Sequence, residues 1–167
     1  QNHEFLEGQY PYTINPGGPN HEELVSLIGI YEYIINLYEH HFKQSDLPLL
    51  KKIEKINNLI SEHEEKIANP ILDYISERND LKLIGKNKII NKNRAPTISF
   101  LSKNKTSSEI SNFLVKNKIA TRNDNFYAWR CLEALNIDKE DGVVRISLTH
   151  YNNLEETNML LKIMDKI

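Results

Sequence analysis

The sequence predicts an α+β fold: a small, mostly antiparallel sheet covered by helices on one face and preceded by two long helices. Two observations carry this expectation. Apolar residues recur at helical spacing from Leu24 to Tyr38 and again from Leu49 to Ile71. Beyond them, short β-type runs alternate with short helical patterns, too few and too brief for a large parallel sheet.

The elements follow in order. Residues 1–18 read as irregular, with Pro11, Pro16 and the pair Gly17-Gly18. Asn20 is the natural N-cap of the first helix, and Glu23 three residues on completes a capping box. Leu24, Leu27, Ile28, Tyr31, Ile34, Ile35 and Tyr38 then keep helical spacing to about His41. Leu49, Ile53, Ile56, Ile60, His63, Ile67 and Ile71 form a second stripe, which Pro70 should kink or interrupt. Leu81–Gly85 reads as a short strand with a glycine stop, and 96–101, "PTISFL", as a stronger one. A helix capped by Thr106 or Ser107 should bury Ile110, Phe113 and Leu114. Ile119–Arg122 is a short strand, and 125–137, "NFYAWRCLEALNI", is apolar at helical spacing. Gly142–Leu148 is a β-type run, on which Val144 and Ile146 face one way and Val143, Arg145 and Ser147 the other. A last amphipathic helix starts near Asn153.

The 167 residues suffice for one domain with a real core, or for part of a larger one. With 40% apolar and 26% charged residues the chain has a globular profile rather than a disordered one. A net charge of −2 leaves no global basic field for nucleic acid. The Lys/Asn-rich stretch 81–94 reads as a solvated hairpin or loop before it reads as an RNA patch. Cys131 is the sole cysteine, so no internal disulfide and no zinc-type cluster is expected. His40, His41 and His63 lack metal-ligand partners at useful offsets. The chain shows neither a signal-type apolar segment nor an apolar run of membrane-spanning length, so a reducing, cytoplasmic setting is the default expectation.

Three stretches could carry chemistry. Gly17-Gly18-Pro19-Asn20 stands before a helix N-terminus, where bare backbone N–H groups suit an anion; an ordinary turn into a helix fits the same residues. Arg145 interrupts a β-branched run, and its guanidinium could fork onto a carboxylate; a solvent-facing arginine is the commoner case. Arg122, Asn123, Asp124 and Asn125 occupy a loop between a strand and a helix, where function often resides. Cys131 falls inside the following helical pattern, which favours a small buried apolar role for it. Walker, Rossmann and nucleophile-elbow patterns are absent from the sequence.

Taken together, "GGPNHEELVSLIGIYEYI", "HEEKIANPILDYI", "RAPTISFL", "IATRNDNFYAWRCLEALNI" and "DGVVRISLTHYNNLEE" resemble the C-terminal part of class V aminotransferase-fold enzymes. The cysteine-desulfurase-like branch is the nearest; isopenicillin-epimerase-like and kynureninase-like enzymes stand further off. The likeness runs from about Thr13 to Ile167. It implies the small domain of a pyridoxal 5′-phosphate (PLP) transferase, with 1–19 left from the end of a large domain and 20–167 forming the C-terminal small domain.

In such enzymes, which are homodimers, the cofactor is tied to a lysine of the large domain. A Ser-x-His-Lys type stretch does not occur in this chain. The resemblance therefore implies a fragment with no catalytic residue of its own, and PLP in an intact parent rather than in this chain alone. By the same resemblance, Arg145 matches the arginine that holds the substrate α-carboxylate, and Arg122 an arginine opening the active-site loop. Gly17 and Gly18 match a "GTPN" loop that reaches the cofactor phosphate. Asn123, Asp124, Asn125 and Tyr127 fall in the active-site loop. Tyr127 stands where desulfurases carry their persulfide cysteine, and Cys131 lies a helical turn too late. Thiolate-dependent desulfuration is not expected.

The implied partners are an amino-acid substrate and a second copy of the parent, without nucleic acid or membrane; no resident metal is implied. The competing expectation is a non-catalytic interaction module or relic domain that self-associates through apolar surface.

Overall fold

The computed structural model describes residues 7, 8, 10, 17–43 and 46–167. Pro11 and Pro16 of the irregular leader lie outside the described residues. Contacts divide the chain into two compact units, Gln1–Asn57 and Asn58–Ile167.

In the first unit, α1 spans His21–His41. The Asn20 carboxamide oxygen accepts from the Glu23 N–H at 3.2 Å, satisfying one of the orphan donors of the first turn. Acidic Glu22 and Glu23 sit at the positive end of the dipole, and His40 and His41 at the negative end. Of the apolar stripe only Tyr38 is buried; Leu24, Leu27, Ile28 and Tyr31 are about half exposed. Val25, Ile30 and Tyr33 on other faces are exposed too. The helix is apolar nearly all round, and the other helical segment described in this unit is the start of α2 (Leu49–Glu77). Tyr38 stacks on Phe42 at 5.1 Å, with the Lys52 and Lys55 ammonium groups over the two rings.

The second unit holds the sheet. Strands β1 (Leu81–Ile84), β2 (Thr97–Ser102), β3 (Arg122–Asp124) and β4 (Val143–Ser147) lie in the order β1-β2-β4-β3, every pair antiparallel. Strand alternation sends Ile98 and Phe100 of β2, and Val144 and Ile146 of β4, to one face. There they meet Ala68, Ile71, Leu72 and Ile75 of α2, Ile110 and Leu114 of α3 (Ser107–Lys116), and Leu160 and Met164 of α5 (Leu154–Met164). On the other face Val143 joins Leu132 of α4 (Trp129–Ala134) and Ile137 in a smaller cluster. The predicted α+β architecture is observed, with three helices on the main face.

Helix α2 is not interrupted at Pro70, interruption being one of the two outcomes expected there. An interior proline costs roughly 3 kcal/mol. Burial of Ile67, Ala68, Ile71 and Leu72 on both sides of it outweighs that cost. The buried Thr157 hydroxyl also donates to the Ile67 carbonyl at 3.0 Å, one turn before the proline. Nearby, Asn69 donates to the Ile89 carbonyl and accepts from its N–H. That double bond ties the Lys/Asn-rich loop to the helix and buries Ile89.

Capping boxes start α3 at Thr106/Glu109 and α5 at Asn153/Glu156. Main-chain and hydroxyl bonds from Thr106 hold the Glu109 carboxyl below its ordinary pKa. The Asn152 side chain and the Asn153 N–H do the same for Glu156. Ile110 and Leu114 are buried as expected, while Phe113 is half-buried.

Two boundaries differ from expectation. The strand predicted at Ile119–Arg122 starts at Arg122, because Lys118 takes φ +64° and the Ile119 N–H caps Leu114, so these residues finish α3. The helix predicted over 125–137 is only Trp129–Ala134, because Phe126 and Tyr127 take positive φ in a turn ahead of it.

Candidate functional site

Arg145 sits at the centre of β4, opposite Ser99 of β2 on one side and Arg122 of β3 on the other. Residues directly opposite in an antiparallel pair share a face. Both guanidiniums therefore leave the sheet on the face away from the main core. Like charges directly opposite are destabilising unless an anion or an acid lies between them. Among the described residues neither arginine has an ion-pair partner. The Arg145 Nε is buried and without an acceptor.

The loop after β3 builds the rest. The Asp124 carboxylate accepts from the Asn125 N–H at 2.6 Å, and the Asn125 carboxamide accepts from the Tyr127 N–H at 3.0 Å while donating to the Lys139 carbonyl. These Asx-type bonds hold a turn in which Phe126 and Tyr127 both take positive φ, +52° and +59°. Consecutive left-handed residues cannot open an α-helix, which is why α4 begins only at Trp129.

The turn packs tightly on the start of β4. A Cβ at Gly142 would fall 2.2 Å from the Asp124 carbonyl carbon, and Gly142 itself has φ +67°. From this turn Phe126 reaches back, and the Arg145 guanidinium carbon lies 4.0 Å from its ring centroid. Phe126 also packs on the Leu132–Ile137–Val143 cluster. On the opposite face of β3, Asn123 donates to Ser107 Oγ, and the Ser107 N–H donates to the Asp141 carboxylate. That chain of bonds ties β3 to α3 and to the turn before β4.

The result is an open groove of about 700 Å³ lined by Arg122, Asn123, Asp124, Asn125, Phe126, Tyr127, Trp129 and Arg145. Of the residues expected in the site, Arg122, Arg145, Asn123, Asp124, Asn125 and Tyr127 are brought together here. Gly17 and Gly18 belong to the first unit; both are exposed, and Gly18 takes φ +75°. Cys131 is exposed in α4 rather than buried, because Leu132 is the α4 residue that turns inward. The sequence reading missed Phe126, Trp129 and Gly142. The aromatic spacing of "NFYAW" was the available signal for the first two. Nothing in the sequence marks how close Gly142 comes to Asp124.

Groups of three or more His, Cys, Asp or Glu fit to hold a metal are absent among the described residues. Within the same residues no helix is long and apolar enough to cross a membrane.

The family model for aminotransferase class V matches residues 46–160, within the Thr13–Ile167 span over which the likeness was expected. The aminotransferase-like protein FGM3 of Gibberella zeae is 26% identical over 109 residues, which are 65% of this chain and 27% of that protein. Among solved structures, the apo cysteine desulfurase of Thermococcus onnurineus NA1 aligns with a TM-score of 0.57 at 24% identity, over 71% of this chain and 29% of its own. The cysteine desulfurase CsdA of Escherichia coli aligns with a TM-score of 0.56 at 18% identity, over 71% of this chain and 28% of its own. These two likenesses establish the fold. The chain spans less than a third of the length of each of these three relatives.

Proposed function

This chain belongs to the aminotransferase class-V family, and from that premise we propose that it is the C-terminal part of a PLP-dependent enzyme acting on an amino acid. In this reading residues 20–167 form the small domain, and 1–19 lead out of a large domain that carries the cofactor lysine. Arg145 receives the substrate carboxylate, and Arg122 adds positive charge from the facing strand. The observation that carries the reading is the Arg145 guanidinium: half-buried, set in a groove, and without an acid partner.

PLP is the cofactor expected of this family, and when bound it supplies the electron sink for the bond broken at Cα. The parts this chain could offer fit such a group. Gly18 holds a glycine-favoured φ, and both glycines are exposed just ahead of the α1 N-terminus, where unpaired main-chain N–H groups suit an anion. A guanidinium forked onto the carboxylate fixes how the substrate lies, and orientation is a large share of rate enhancement. Tyr127, fully exposed in the loop, takes the place where desulfurases hold a thiolate. A phenol cannot carry persulfide sulfur, so transamination, elimination or racemisation suits this loop better than desulfuration. A homodimeric parent in the cytoplasm belongs to the same reading.

The test uses the whole parent protein. It should be yellow, and its visible band should shift when amino acids are added. Arg145→Ala should weaken that response by about tenfold or more, the usual cost of losing one partner of a charged pair. A colourless parent, or unchanged affinity in the variant, overturns the reading.

A second reading is favoured by α1. Its apolar surface, with Val25, Leu27, Ile28 and Ile30 all more than half exposed, suits a module that associates with its own kind.

A further inference from the structure

We propose that Phe126 is a positioning residue: its ring fixes the Arg145 guanidinium so that only the Nη edge meets the groove, and a carboxylate is taken end-on by that edge. The inference rests on the reading of Arg145 as the carboxylate group and adds what aims it.

The geometry supplies each step. A guanidinium on a long side chain has many rotamers, and binding an anion bidentately requires one of them. At 4.0 Å from the ring centroid, the Arg145 carbon is within cation–π range of Phe126, inside the usual limit of about 6 Å. At that distance the ring stands against the guanidinium and leaves it less room to change rotamer. Burial closes off Nε, which has no acceptor, so the two Nη groups are the donors left to the groove.

Phe126 is itself held twice. Its flank packs on Leu132, Ile137 and Val143. Its backbone is set at φ +52° by the Asn125 turn, which Gly142 lets approach β4. A non-glycine residue at positive φ carries a conformational cost and persists where the surroundings impose it. Here that cost places an aromatic ring over the one cation at the centre of β4. Other charges near the groove do not compete for this role. Arg122 repels Arg145 from across the ladder, and the Asp124 carboxylate forms no ion pair with either arginine.

The experiment uses this chain as it stands, with propanoate as probe. Binding is followed by two-dimensional NMR and by fluorescence of Trp129, the single tryptophan, which lines the same groove. In the wild type the Arg145 Nε–H resonance should carry an upfield ring-current shift. Phe126→Leu should lose that shift and weaken propanoate about threefold to thirtyfold, the range of one such stack. Phe126→Tyr should keep both the shift and the affinity. Thermal unfolding of each variant separates an unfolded Phe126→Leu from a folded one; if it unfolds, Phe126→Met replaces it. Unchanged affinity in the folded variant, with Arg145→Gln still abolishing binding, overturns the positioning role and leaves the reading of Arg145 intact. Propanoate binding that survives Arg145→Gln overturns that reading, and the role of Phe126 with it.

Discussion

Arg122 and Arg145 stand directly opposite each other across the β3–β4 ladder, with no carboxylate paired to either among the described residues. Two like charges at that position repel, and an anion placed between them would relieve that repulsion. Arg122→Gln should therefore stabilise the chain by a few tenths of a kcal/mol at low ionic strength. The gain should fade as salt is raised and the Debye length falls below about 10 Å. Urea unfolding of both proteins at low and high salt checks this. A destabilised variant would mean that Arg122 is a structural group, not a repelled one.

Gly142→Ala should be among the most damaging single-methyl changes in the second unit. The new Cβ meets main-chain atoms of Asp124 at 2.2 and 2.3 Å, and the backbone is at φ +67°. Neither a rotamer change nor a side-chain shift relieves a clash with backbone. We expect a loss of about 2 kcal/mol or more in urea unfolding, together with shifted amide resonances in 124–127. An unshifted loop would show that the contact is loose.

The capping boxes give a pH dependence with a definite sign. Glu109 and Glu156 have folded pKa values below the ordinary glutamate value of 4.5: Glu109 through bonds from the Thr106 N–H and hydroxyl, Glu156 through the Asn152 side chain and then the Asn153 N–H. Their stabilisation is present above 4.5 and disappears as pH falls through the lowered folded values. Glu109→Gln should flatten the acid limb of a stability-against-pH curve below 4.5 without altering its shape above 6. Asn153→Ala, which removes the side-chain cap of α5, should cost about 1 kcal/mol at neutral pH.

Asn69 imitates one rung of a β-ladder by bonding both main-chain groups of Ile89. Asn69→Leu keeps the volume and removes both bonds, leaving a partly buried N–H and C=O without partners. The expected loss is about 2 kcal/mol. Hydrogen exchange at the Ile89 amide should accelerate more than at Leu81 or Phe100. Equal acceleration at all three would mean that the loop is not anchored through this residue.

Much of this was legible in the sequence. Periodicity gave the order of the helices and strands found among the described residues, and it placed α1, α2, α3, β1, β2, β4 and α5 well but not β3 or α4. Cap residues fixed the starts of α1, α3 and α5. Strand alternation put Arg145 on the face opposite Val144 and Ile146. What escaped was decided by tertiary contact. Pro70 stays helical because burial around it outweighs its local cost. The turn at 125–128 interrupts an apolar helical pattern because two local Asp124 and Asn125 side-chain bonds, the Asn125 bond to Lys139 and Gly142 hold it, and no window of propensity contains both ends of that contact. The exposure of Cys131 follows from the same shortening of α4.

The approach of Gly142 to Asp124 bears on attempts to re-engineer this chain. Grafting a cysteine-bearing loop from a desulfurase between β3 and α4 would replace only one wall of a two-sided mould. The other wall is the bend leading into β4, so a working transplant would have to carry both segments, 124–128 and 138–142, as a matched pair.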